Sequence, residues 1–300
     1  SRGLGDVYKR QYVMRIIINA DDFGREDSRN TAINYSMING YCSQASIMVN
    51  MNDFTDEAVK LSKDNGYQDK VCLHLNLTLG KPLSKKITGT SLCDKNGFFK
   101  FNCVNEVLKT LKHNMRLKDI LAIREECEAQ IKKYLDYFED SFLIESAQRY
   151  DIKGKSYIET PKKYYFSDLG LRNARINFRQ LEQTYSMENV IYNELRMRGY
   201  SVDVGVVPIA EKDLEGKVNR RQLEVDFVCN LGSARYYIQS AYSLPDEAKR
   251  TQEIRPFRKI DDSFKKIVIT KDIVQPYYDE YGILTINIYD FLLNPECLQG

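Results

Sequence analysis

Histidine is nearly absent: the 300 residues contain two, His74 and His113. With so few imidazoles, any metal centre must lean on carboxylates, and any acid–base chemistry has few candidate groups. Cysteine is scattered. Cys42, Cys72, Cys93, Cys103, Cys127, Cys229 and Cys297 are odd in number and contain no Cys-x-x-Cys, which argues against a disulfide framework and a zinc ribbon and points to the cytoplasm. No apolar run has the length needed to span a bilayer, so no membrane partner is expected. No Gly-x-x-x-x-Gly-Lys-[Ser/Thr] occurs, so no phosphate-cradling loop and no ATP are expected. Charge of one sign is not in excess either. Lys+Arg 44 against Asp+Glu 42 gives +2, so any nucleic-acid binding must come from local patches. What the chain does have is 43% hydrophobic residues, enough for the cores of two ordinary domains or one large one.

The first half is organised around Ile16-Ile17-Ile18-Asn19-Ala20-Asp21-Asp22-Phe23-Gly24. Three β-branched residues in a row predict a strand buried on both faces, with the Asp pair where it ends. Carboxylates at the C-terminal ends of parallel strands are well placed to hold a metal or act as a base, but Asp is equally common where a chain merely turns. Residues Asn30–Asn39 follow with Ala32, Ile33, Met37 and Ile38 at helical spacing and Gly40 as a stop. Ala45–Met51 reads as a strand and Phe54–Ser62 as a helix. In Val71–Leu77 apolar residues alternate with Cys72, His74 and Asn76 on the other face. Strand–helix–strand–helix–strand predicts an α/β fold with a parallel sheet, open or closed into a barrel. From Asn105 to Phe138 the pattern is helical, with Leu108, Leu111 and Met115 on one stripe, Ile120, Ile123 and Cys127 on another, and His113 on a solvated face.

The second half reads differently. A helix over Met187–Gly199 is followed by strands Tyr200–Val207, Leu223–Cys229 and Arg235–Tyr242, a helical stretch Pro245–Ile260, and strands Lys266–Thr270 and Ile283–Tyr289, an α+β order that predicts a second domain.

Two constellations carry chemistry. A divalent cation that activates water needs nitrogen and oxygen ligands, an open position and a nearby carboxylate base. Asp22 and His74 at two strand ends supply two ligands and leave Asp21 to take the proton; a polar residue satisfied within the fold is the plainer reading of His74. In the second half, Glu188, Asp226 and Gln239 lie where a two-metal nuclease has its acidic groups, but Gln239-Ser240-Ala241 supplies neither the second carboxylate nor the lysine. A structural role on an open sheet face is the alternative. Arg172, Arg175, Arg179, Lys249 and Arg250, with Tyr164, Tyr165 and Phe178, are compatible with nucleic-acid contact or with solvated faces.

The blocks IIINADDFG, NGYCSQASIMVNM, DEAVKLS and HLNLTLGKPL, in this order and spacing, resemble the YdjC-like carbohydrate deacetylases. The resemblance implies a (β/α)-barrel-like fold of the glycoside hydrolase/deacetylase type, a divalent metal (Mg²⁺ or Zn²⁺) and hydrolysis of N-acetyl groups on amino sugars. It makes Asp21 the general base and Asp22 and His74 metal ligands. The family's later Asp-Ser-His-x-His-x-His block has no counterpart, so the third ligand is missing and weak metal binding is expected. The words FLIESAQRYDIKGK, KKYYFSDLGLRNA, MENVIYNELRMRGYSVDVG, EVDFV, YIQSAYSL and NIYDFLL resemble the C-terminal domain of bacterial and archaeal AAA+ family ATPases, with a restriction-endonuclease-like fold and no ATPase module. The expected organisation is therefore a leader over residues 1–13 that resembles translated library-adapter sequence, with Met14 as natural start, a truncated deacetylase-like domain over 14–132, and a winged-helix remnant plus nuclease-like domain over 133–300. Two functions follow: a metal-dependent carbohydrate deacetylase, or a nucleic-acid- or partner-binding module without catalysis whose fusion is an assembly artefact.

Overall fold

A computed structural model describes residues 16–100, 116–175, 182–212 and 218–298. The expectations for Leu108, Leu111, His113, Met115, Phe178 and Arg179, and for the Arg175 side chain, lie outside what is described. The chain divides into two units, Ser1–Ser141 and Phe142–Gly300, each with its own core. No helix among the described residues is long and apolar enough to cross a membrane.

The first unit alternates as its sequence predicts. Strand β1 (Asn19–Phe23), helix α1 (Asp27–Ile38), β2 (Gln44–Ile47), α2 (Asp53–Asp64) and β3 (Val71–Leu73) form a parallel sheet in the order β1-β2-β3. Three strands make an arc of sheet rather than a closed barrel. Its core joins Phe23, Ile33, Met37, Ala45, Ile47, Ala58 and Val71, and each large side chain so buried contributes roughly 1.5–3 kcal/mol. On α1 the buried stripe narrows to Ile33 and Met37, while Ala32 and Ile38 face solvent; a helix against one sheet face buries one side only. Gly40 takes φ +73° just past the helix, where an L side chain would be strained.

Three readings of this unit are corrected. Ile16, Ile17 and Ile18 are exposed by 74%, 65% and 52%, and the strand starts only at Asn19, so the doubly buried strand does not exist there. The strand after α2 stops at Leu73: Leu75 is exposed and Asn76 is buried, the reverse of the expected alternation. The later helix, α3 (Leu117–Asp140), buries Asp119, Ala122, Glu126 and Gln130, and Ile120 of the expected stripe faces solvent. The polar side chains turn inward because the loop beyond β3 presents backbone groups that need partners. Helix α3 runs unbroken across residue 132, where a domain boundary was expected.

The second unit is a mixed sheet of eight strands in the order β10-β11-β9-β8-β7-β6-β4-β5. These are β4 (Ile144–Asp151), β5 (Ser156–Phe166), β6 (Ser201–Lys212), β7 (Val218–Leu231), β8 (Ala234–Ala241), β9 (Lys265–Thr270), β10 (Tyr277–Tyr278) and β11 (Leu284–Asn287). The expected meander is β6-β7-β8, antiparallel throughout. Helices α4 (Leu169–Arg175) and α5 (Gln183–Met197) precede it, α6 (Glu247–Ile254) follows β8, and α7 (Ile288–Leu293) follows β11. Met187, Ile191 and Leu195 of α5 pack into one core and Ile254 of α6 into a second. The stretch expected as a winged-helix remnant instead supplies β4 and β5, with Ala147 buried in one core, Tyr150 in the other, and β4 paired with β6. The expected strand to Tyr289 ends at Asn287, whose side chain accepts the Asp290 N–H at 2.8 Å and starts α7.

Candidate functional site

The Asp pair sits in an irregularity of β1. Ala20 pairs with Ala45 and Phe23 with Ile47, so three steps on β1 answer two on β2, and Asp22 takes φ +68°. Such a bulge re-aims side chains that a flat strand would send to fixed faces. Gly24 closes it at φ +85°, where a Cβ would lie 3.0 Å from the Met48 carbonyl oxygen. The Gly24 N–H donates to Asn30 Oδ1 at 2.7 Å, and buried Asn30 in turn donates to Glu57 Oε2 at 2.7 Å, anchoring the turn to α2.

Asp21 and Asp22 then differ in company. Asp21 Oδ1 accepts from Ser46 Oγ at 2.5 Å and Asn19 Nδ2 at 2.6 Å. Asp22 Oδ2 is held by Arg25 at 3.1 Å and Arg29 at 3.0 Å. His74 comes from the end of β3, fixed by its N–H to the Ile47 carbonyl at 2.8 Å. Its Nδ1 accepts the Asp22 N–H at 3.4 Å and lies 3.5 Å from Asp22 Oδ1. A neutral His74 accepting at Nδ1 carries its proton on Nε2. The structure therefore brings Asp22 and His74 into contact, with Asp21 on the neighbouring residue of the same bulge.

As a cation site this set is incomplete. One Asp22 oxygen is taken by two guanidinium groups, and among the described residues no three His, Cys, Asp or Glu side chains are grouped to hold a metal ion. The residues present do not by themselves fit the divalent metal that the resemblance implies. Sequence reading missed Arg25 and Arg29, whose i, i+4 spacing was the available signal, and Asn30 and Ser46, which had none.

In the second unit Asp226 and Gln239 face each other across β7 and β8, the Asp226 N–H pointing to Gln239 Oε1 at 3.4 Å. The Ser240 N–H donates to Asp226 Oδ2 at 2.8 Å. Glu188 of α5 accepts from Tyr165 Oη at 2.7 Å and pairs with Lys163 at 2.6 Å, and Lys163 also reaches Glu224 at 3.0 Å. Arg149 adds a second cation to Glu224 at 2.7 Å. Burial, then the Glu188 charge, pushes the Asp226 carboxyl well above the usual carboxylate range. Burial works the same way on Glu224, but Lys163 and Arg149 outweigh it and hold that carboxyl below its ordinary value. A lysine does join this cluster, from β5 rather than β8; Lys163 and Arg149 were missed, and Tyr165 was read as a nucleic-acid contact instead.

The basic patches change character. Arg250 is buried and bonded to Tyr277 Oη at 2.8 Å, Thr285 Oγ1 at 3.0 Å and Asp279 at 2.8 Å, so its guanidinium is committed inside the fold rather than offered on a surface patch. Lys249 pairs with Glu253 at 2.5 Å, and Tyr165 is buried, stacked on Tyr192 with centroids 3.9 Å apart.

Fold and site together define the first unit as a parallel α/β unit with a carboxylate pair and an imidazole at its strand ends. Residues 15–139, in the N-terminal part of this chain, match the model of YdjC-like proteins. Residues 109–182 match a domain of unknown function, DUF8612. An uncharacterized protein of Haemophilus influenzae is 36% identical over 166 residues, covering 54% of this chain and 36% of that protein. A carbohydrate deacetylase of Clostridium beijerinckii is 36% identical over 126 residues, covering 41% of this chain and 45% of its own length. The chain thus spans less than half of either relative. A solved structure from Enterococcus faecalis, named for cellobiose-phosphate cleavage, is 23% identical with a TM-score of 0.33, covering 40% of this chain and 43% of that one. The AAA+-type resemblance of the second unit rests on its sequence words alone.

Proposed function

We propose that the first unit is a carbohydrate-deacetylase-type site for an N-acetylated amino sugar or oligosaccharide. Asp21 is its proton acceptor, and Asp22 and His74 stand at the positions where the resemblance places ligands for a divalent cation, Mg²⁺ or Zn²⁺, two donors that do not by themselves complete a site. The observation that carries this reading is the meeting of Asp22 and His74, from β1 and the end of β3, at the bulge that also bears Asp21. Relatives named carbohydrate deacetylases support it.

In this chain the reading is of a weak site. Two protein donors, one already shared with Arg25 and Arg29, leave most of a cation's coordination shell to water. Calorimetry with Zn²⁺ and Mg²⁺ is expected to show affinity weaker than micromolar, and acetate release from N-acetylglucosamine oligomers to stay at the level of Asp21→Asn. Metal-dependent turnover abolished by Asp21→Asn would restore a competent enzyme; sub-micromolar affinity lost in Asp22→Ala would overturn the argument from missing ligands.

For the second unit the neutralised carboxylates favour a module without cleavage. Lys163 and Arg149 occupy Glu188 and Glu224, and Gln239 brings no charge, so the parts that would gather two cations are spent. Plasmid incubated with the chain in Mg²⁺ or Mn²⁺ should stay intact, and any DNA binding should fall steeply with salt. Nicking lost in Asp226→Ala would reverse this reading.

A further inference from the structure

The segment that carries His74 out of β3 is bonded to α3 through two side chains, Glu126 and Gln130. Gln130 Oε1 accepts the Asn76 N–H at 2.9 Å, and Gln130 Nε2 donates to the Asn76 carbonyl at 2.7 Å. One amide thus takes both backbone groups of the residue two beyond His74, as a neighbouring strand would. One turn earlier on α3, Glu126 accepts the Leu83 N–H at 3.1 Å and the Ser84 N–H at 2.6 Å on separate oxygens, and Gln130 Nε2 also donates to Glu126 Oε1 at 2.8 Å. Asn76 ties in the rest: its Oδ1 accepts the N–H groups of Thr78 and Leu79 at 3.0 and 3.1 Å, and its Nδ2 donates to Asn50 Oδ1 at 2.8 Å.

Glu126 and Gln130 are fully buried and Asn76 is 3% exposed. A buried carboxylate is costly unless its oxygens are occupied, and an apolar pair at these positions would fill the same face more cheaply. What the polar pair adds is a fixed path for the chain on either side of the loop tip, beginning two residues after His74. Strand β3 ends at Leu73, and beyond it the His74 N–H to the Ile47 carbonyl, at 2.8 Å, is the last bond to β2.

We infer that Glu126 and Gln130 are positioning residues for the site: beyond the last strand bond, they hold the segment that leaves His74 so that the imidazole meets Asp22. The inference rests on the deacetylase-type reading only for what the pair is for; the positioning itself is measured without metal or sugar. Because the chain has two histidines, histidine labelled with ¹³C gives two ring cross-peaks, and His113→Gln assigns them. Asp22→Asn should shift the His74 Cε1–Hε1 signal strongly in the otherwise unaltered protein. In a Gln130→Met background with unchanged circular dichroism, that shift should fall to less than half, because the ring no longer sits against residue 22. Should Gln130→Met not fold, Glu126→Gln is read in the same way, since it keeps the side-chain volume but opposes the Ser84 N–H with an N–H of its own. An equal response of His74 to Asp22→Asn in the altered and unaltered backgrounds would overturn the inference. Failure of the deacetylase reading would leave this coupling intact, since neither metal nor sugar enters the measurement.

Discussion

Asp22 holds a left-handed backbone at φ +68° in the same bulge that gives the site its carboxylates. For an L residue that conformation costs about 1–2 kcal/mol, here offset by the contacts with Arg25, Arg29 and His74. Replacing the side chain separates the two effects. Asp22→Gly and Asp22→Ala lose the same partners, but only glycine is free of the backbone penalty, so Asp22→Gly should be the more stable of the two by about 1 kcal/mol in urea unfolding. Equal stability would mean that the bulge stores no strain. Legibility at this scale followed residue type. Asp21 and Asp22 stood out as a carboxylate pair at a strand end and His74 as one of two imidazoles in the chain, and the resemblance joined them. The arginines on Asp22 and the asparagine under Gly24 did not, because their roles depend on where a bulge points.

At the scale of elements, alternation located the β6-β7-β8 meander and helical spacing located α5, since each pattern is local. The cluster these elements build was hidden: Lys163 and Glu224 are 61 residues apart, and only the pairing of β5 through β4 and β6 to β7 brings them together. The α3 stripe was misplaced for a related reason, because periodicity assumes an apolar core and here backbone carbonyls and amides ask for Glu126 and Gln130. The raised Asp226 has a measurable sign. A carboxyl whose folded value lies above its unfolded one, about 4, binds more protons folded than unfolded across that interval. Stability should therefore fall as pH climbs from about 4 toward the raised folded value. Asp226→Asn should flatten that decline and raise the melting temperature at neutral pH, while changing little near pH 4. A parallel decline in the variant would locate the titration elsewhere.

At the scale of the molecule, two units with separate cores should unfold as two calorimetric transitions rather than one. Phe142, 83% exposed at φ +55° on the dividing line, is the expected first site of brief chymotrypsin digestion. A single transition, or early cuts only at other aromatic residues, would count against independent folding. The end of the first unit's sheet has a practical consequence. Among the described residues β1 has β2 as its sole strand neighbour, so its other edge has no strand partner among them, and the exposed Ile16–Ile18 run leads straight into it. That combination is a template for cross-strand addition by other copies during expression, the hazard that natural edge strands blunt with lysine. A charged gatekeeper, Ile17→Lys, should raise the soluble yield and lower thioflavin-positive aggregate while leaving Asp22 and His74 in contact.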